Sequence, residues 1–206
     1  MDKLKGLDEQ EQPKEEKDKI AEVVDKTRKV KSDDELSAED WSLKGYNAFN
    51  KRNYEDACFY YKKSIKLKPD FVTYKNIGNS LLKMARMRSD EALFRESIEN
   101  YKKAIELKPD YEIPYNNWGN ALLGLARLKT DENLFLESFE KYMKAIELKP
   151  EYVMAYKNWG IALKKWMELN LSDAMFKKLV AKYKLVGESN PEFKKIYNKR
   201  FPSEKS

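Results

Sequence analysis

Between residues 38 and 163 the apolar side chains recur three and four positions apart, the period of helices buried along one face. Tyr115, Trp118, Leu122, Leu125 and Ala126 form one such stripe, and Leu134, Phe135, Ser138, Phe139, Tyr142, Ala145 and Ile146 form the next. Between them stands Lys129-Thr130-Asp131-Glu132, matched earlier by Arg88-Ser89-Asp90-Glu91. Both strings offer side-chain acceptors for the free amides of a helix start and acids for its dipole. Pro109 and Pro150 forbid continuation at the far ends. The predicted element is a helix, a turn, a second helix and a stop.

That element repeats. Ala104-Ile-Glu-Leu-Lys-Pro-Asp-Tyr111 returns as Ala145-Ile-Glu-Leu-Lys-Pro-Glu-Tyr152, and stands earlier as Ser64-Ile-Lys-Leu-Lys-Pro-Asp-Phe71. Pro69, Pro109, Pro150 and Pro191 are separated by 40, 41 and 41 residues, and Gly78, Gly119 and Gly160 by 41 and 41. Gly45, Gly78, Gly119 and Gly160 sit inside helices, where glycine costs about 1 kcal/mol against alanine, so each implies a close approach of two helices. Ala57, Ser97 and Ser138 are the small residues expected opposite them.

With these residues in view, the units resemble tetratricopeptide repeats (TPR). Trp41, Gly45, Ala57, Tyr61, Ser64 and Pro69 carry the likeness in the first unit. Tyr74, Ile77, Gly78, Leu81, Ser97, Tyr101, Ala104 and Pro109 carry it in the second; Tyr115, Trp118, Gly119, Leu122, Ser138, Tyr142, Ala145 and Pro150 carry it in the third. The resemblance implies an all-α, right-handed superhelical solenoid of four helix-turn-helix repeats with a C-terminal capping helix. One departure stands out: Gly45 to Ala57 is 12 residues, whereas Gly78 to Ser97 and Gly119 to Ser138 are each 19. Seven residues shared between two antiparallel helices would add about one turn, ~5 Å, to each and keep every side chain on its face.

The expected boundaries are a mixed-charge tail over 1–37, repeats over 38–70, 71–110, 111–150 and 151–190, and a cap over 191–206. The tail has too little apolar content to offset its ordering entropy and reads as largely disordered, with a short helix around Glu15 to Lys31 conceivable when docked. The fourth unit keeps Tyr156, Trp159, Gly160 and Leu163 but loses the pattern afterwards, as terminal repeats do.

Composition narrows the chemistry. Histidine is absent, which removes the usual general base, the usual zinc ligand and the Ser-His-Asp or Cys-His triads. The single cysteine, Cys58, permits no internal disulfide and fits a reducing, cytoplasmic setting. No stretch approaches the ~18 apolar residues of a spanning helix, and Met1-Asp2-Lys3 opens no secretory signal. Neither enzyme activity, a cofactor nor a metal is expected. The formal net charge of +6 divides into −3 over residues 1–37, +3 over 38–163 and +6 over 164–206.

Charge and polarity on the first helices point to a groove. Asn76, Asn117 and Asn158 lie two residues before the repeat glycine, Asn79 and Asn120 one residue after it, and Asn116 replaces Lys75 in the third unit. In a TPR stack the first helices line the inner curve, so these carboxamides are expected to stand open there and to grip a peptide backbone. Lys75, Lys83, Lys157, Lys164 and Lys165 share that face, with no Asp or Glu at the inner positions of units two to four. The expected ligand is an extended acidic peptide or C-terminal tail, held near micromolar affinity and weakened by salt. The resemblance also brings up TPR co-chaperones that clamp acidic chaperone tails: Lys75, Asn79 and Asn117 match three of five clamp positions, while Met154 and Asn158 stand where a Lys and an Arg belong. A constitutive subunit role through the convex face or the tail, and nucleic-acid binding through the basic C-terminal region, are the remaining alternatives.

Overall fold

Ser37 opens the first helix by a reciprocal cap: its hydroxyl accepts from the Asp40 amide at 3.1 Å, and the Asp40 carboxylate accepts from the Ser37 amide at 2.9 Å. Helix α1, Ala38–Asn50, follows and pairs with α2, Tyr54–Leu67, which is capped by Asn53. Asp70 caps α3, Phe71–Arg88, and Asp90 caps α4, Glu91–Leu107. Helix α5, Glu112–Lys129, is followed by α6, Glu132–Leu148, where Asp131 accepts from the amides of Asn133 and Leu134. Helix α7, Val153–Glu168, ends the described chain. A computed structural model supplies these coordinates and describes residues 32–169.

The elements match the expected sequence of helix, turn, helix and stop. Helices α2, α4 and α6 end at Leu67, Leu107 and Leu148, two residues before Pro69, Pro109 and Pro150. In the longer units the turn is identical: Ser89 and Thr130 both take φ 53° and ψ 42°, the left-handed conformation that closes a helix, and an aspartate then caps the next one. Of the expected tail, the last residues form a 3-10 turn at Asp33–Glu35, tied to α1 by Lys44 Nζ on Asp33 Oδ1 at 3.2 Å. The rest of the tail, with the conceivable helix at Glu15 to Lys31, lies outside the described residues. So do the second helix of the fourth unit and the 191–206 cap.

The seven added residues do not divide evenly. Helices α3 and α5 have 18 residues against 13 in α1, while α4 and α6 have 17 against 14 in α2. The turn gives up one residue in exchange, and the first helix of each unit takes most of the extension.

Each helix packs on its predecessor, and first helices also touch first helices, α1 on α3, α3 on α5 and α5 on α7. The core runs between units as apolar clusters: Ala57, Tyr61, Ile77 and Leu81 in one, Phe94, Tyr101, Leu122 and Leu125 in the next, and Phe135, Tyr142, Trp159 and Trp166 in the last. The glycines meet something other than the expected small residues. A Cβ at Gly45 would lie 2.6 Å from the Tyr61 ring, at Gly78 2.5 Å from Tyr101 and at Gly119 2.6 Å from Tyr142. Ala57, Ser97 and Ser138 are fully buried, but it is the tyrosine face, one turn further along the second helix, that occupies the space a side chain would need.

Candidate functional site

The first helices α3, α5 and α7 carry every residue singled out from the sequence, and packing sorts them into two sets. Asn76, Asn116, Asn117, Asn120, Asn158 and Lys75 are all buried, and Asn116 is 0% exposed. Asn79 and Lys83 are half-buried, Lys157 and Lys164 are exposed, and Lys165 is half-buried.

The buried asparagines bond to one another. Tyr101 donates its hydroxyl to Asn79 Oδ1 at 2.9 Å, and Asn117 Nδ2 donates to the same oxygen at 2.9 Å. Asn116 Nδ2 donates to Asn117 Oδ1 at 3.1 Å, and Asn158 Nδ2 to Asn116 Oδ1 at 2.9 Å. A continuous chain of carboxamides thus links units two, three and four. In the third unit Tyr142 donates to Asn120 Oδ1 at 3.0 Å, repeating the contact of Tyr101 with Asn79. The asparagine after each of these glycines therefore receives the hydroxyl of the tyrosine that lies over the glycine.

This corrects the expectation of open carboxamides. Asn76, Asn117 and Asn158 are expected open on the hollow; all three are buried instead, and Asn117 and Asn158 bond to side chains of the preceding first helix. A buried amide left without partners costs about 1–3 kcal/mol, so the side chains pair across the seam. Asn158 Oδ1 finds no hydrogen-bond partner among the described residues. The pairing has one signal in the sequence: polar residues stand inside apolar stripes at two neighbouring positions of consecutive units, Asn116 and Asn117 in the third and Asn158 in the fourth.

The charged residues of this set are its lysines. Lys165 Nζ bonds Glu168 Oε2 at 3.0 Å, and that bond, with Lys164 and Arg127 nearby, holds the Glu168 carboxyl below the usual carboxylate range. Cys58 plays no part on this surface. Its thiol is buried, approaches the Ile77 carbonyl oxygen at 3.9 Å, and is pushed up to about 12 by loss of solvation, the state of an inert core thiol.

No described helix is long and apolar enough to cross a membrane. A tetratricopeptide repeat profile matches residues 38–71, and a TPR repeat profile matches residues 94–125. A comparison with curated proteins finds no match. Among solved structures, a thermophilic TPR protein of Thermus thermophilus, TTC0263, is similar at TM-score 0.57 and 16% identity, over 80% of this chain and 83% of that one. The first TPR of Spaghetti (RPAP3), bound to the HSP90 peptide SRMEEVD, is similar at TM-score 0.54 and 19% identity, over 64% and 94%. The second TPR domain of human RPAP3, in complex with the HSP70 peptide SGPTIEEVD, is similar at TM-score 0.51 and 17% identity, over 61% and 98%. Repeat spacing, the stack of paired helices and these matches agree, and the chain is a tetratricopeptide-repeat protein.

Proposed function

We propose that this protein is a non-enzymatic interaction adaptor of the cytoplasm whose inner face holds an extended acidic peptide segment of another protein. The observation that carries the reading is the pair of exposed lysines, Lys157 and Lys164, on inner positions that hold no acid in units two to four. A concave wall focuses such a field, and charge-assisted hydrogen bonds are the stronger class. The peptides named with two similar TPR structures are acidic as well.

The asparagines serve this function at one remove. Their cross-links fix the spacing of the first helices and so the positions of the lysines that meet the ligand. A five-point clamp on a C-terminal carboxylate is the weaker reading, because Lys75 is 3% exposed, Asn79 and Asn117 bond each other, and Met154 and Asn158 offer no cation.

Fluorescence polarisation with acidic and basic peptide pools tests the proposal. Acidic peptides should bind near micromolar affinity, lose affinity with salt, and weaken at least about tenfold when Lys157→Glu and Lys164→Glu are combined. Equal binding of the two pools, or no response to the double reversal, removes the groove.

A further inference from the structure

The lengthened hairpins make a cavity that the short first unit has no helix to build. It is a half-open cleft of about 380 Å³ between the C-terminal ends of α3, α5 and α7, with Phe94 of α4 forming part of its wall. Aligned on the repeat glycine, Asn50 at the end of α1 is level with Lys83 in α3 and Gly124 in α5. Every lining residue of α3 and α5 beyond those points, including Arg86, Arg127 and Leu128, therefore belongs to the added turns.

The chemistry of the walls is divided. Phe94 and Leu123 are buried and apolar, at 3% and 2% exposure. Arg86, Arg127 and Lys165 bring three cations; no acid is among the described lining residues, and Glu168 bonds Lys165 from beside the lining. Gly124 keeps the aromatic wall close: a Cβ there would overlap the Phe94 ring, so the ring lies directly on the α5 backbone. The volume suits one bulky side chain together with a carboxylate, and guanidinium groups are the side chains best shaped to receive that carboxylate.

We propose that this cavity takes an acidic side chain and the bulky apolar side chain next to it from a bound peptide. The apolar group rests on Phe94 and Leu123, and the carboxylate meets Arg127 with Arg86 and Lys165. The inference rests on the inner face being a peptide groove, to which Lys165, next to the exposed Lys164, connects the cavity.

The test is a titration of the full chain, followed by amide proton and nitrogen NMR, with N-acetyl-Glu-Phe-amide, whose blocked ends leave the glutamate as its sole charge. Shifts are expected at the amides of Phe94, Gly124 and Leu128 in the millimolar range. N-acetyl-Gln-Phe-amide and N-acetyl-Glu-Ala-amide should each bind at least about fivefold more weakly. Arg127→Gln, a half-buried position whose loss spares the core, should weaken the Glu-Phe probe about fivefold and leave the Gln-Phe probe unchanged. Equal affinity of the Glu and Gln probes, or no shift at Gly124 up to about 10 mM, overturns the proposal. Shifts confined to Asn79 and Asn117 also overturn it while leaving the groove standing. Failure of the long acidic peptides described above, with the dipeptide still shifting Gly124, separates the two in the opposite sense.

Discussion

In the first unit the residue after the repeat glycine is Tyr46, whereas in the second and third it is Asn79 and Asn120. All three units lay a tyrosine ring across the glycine, and in the longer two that tyrosine hands its hydroxyl to an asparagine on the facing helix. The same two units carry the extra turns, the identical left-handed Ser89 and Thr130 closures and the basic cavity. The comparison separates two roles of one repeat. A short hairpin suffices to stack helices; the longer form locks its neighbours by polar cross-links and gains an inner surface.

Removing a cross-link should break that difference most strongly. Asn116 both donates to Asn117 and accepts from Asn158, so Asn116→Ala removes a partner from two buried groups and leaves a void. A loss of about 2–4 kcal/mol is expected in urea unfolding. A change below about 0.5 kcal/mol would show that the ladder contributes nothing to stability.

The glycines sharpen the comparison at smaller scale. Gly45→Ala and Gly78→Ala both drive a methyl into a tyrosine ring, an overpacking that costs about 1–3 kcal/mol. In Gly78→Ala the Tyr101 ring is also held at its hydroxyl by Asn79, so adding Tyr101→Phe should return part of the loss. Equal thermal shifts with and without Tyr101→Phe would mean that the hydroxyl contact does not stiffen the ring.

The smallest effect is a dependence on alkaline pH. Burial raises the Cys58 thiol to about 12 and raises the Tyr142 and Tyr152 hydroxyls as well. Each folded-state value lies above its unfolded one, so this contribution is complete below about pH 8.5 for the thiol and about pH 10 for the phenols, and declines as pH rises beyond them. The midpoint of thermal unfolding should fall above about pH 9, and Cys58→Ala should remove the thiol's share of the fall. In the same pH range native Cys58 should resist iodoacetamide until the chain unfolds. Rapid labelling at about pH 8 would contradict its burial.

Much of this architecture is legible before any coordinates. Pro69, Pro109 and Pro150 mark the stops, Asp90 and Asp131 the starts, and the glycine period gives the unit length, because these signals act through the backbone of their own segment. The added turns are legible for the same reason, although their uneven division between the helices is not. The candidate site is less so. Periodicity sets Asn117 and Asn158 on one side of their helices, but it carries no information about how closely the next helix approaches. Lys157 and Lys164 remain exposed, while Lys75, at the position of Lys157 two units earlier, is covered.

The sequence alone determines that helices form, where they begin and end, and that they repeat with a lengthened hairpin, since capping, proline stops and the 3.6-residue period are local physics. Tertiary structure decides which polar groups reach solvent and which must satisfy each other. The asparagines become cross-links, and Arg86, Arg127 and Lys165 converge on one cavity, because those outcomes depend on distances between units rather than on the order of residues within one.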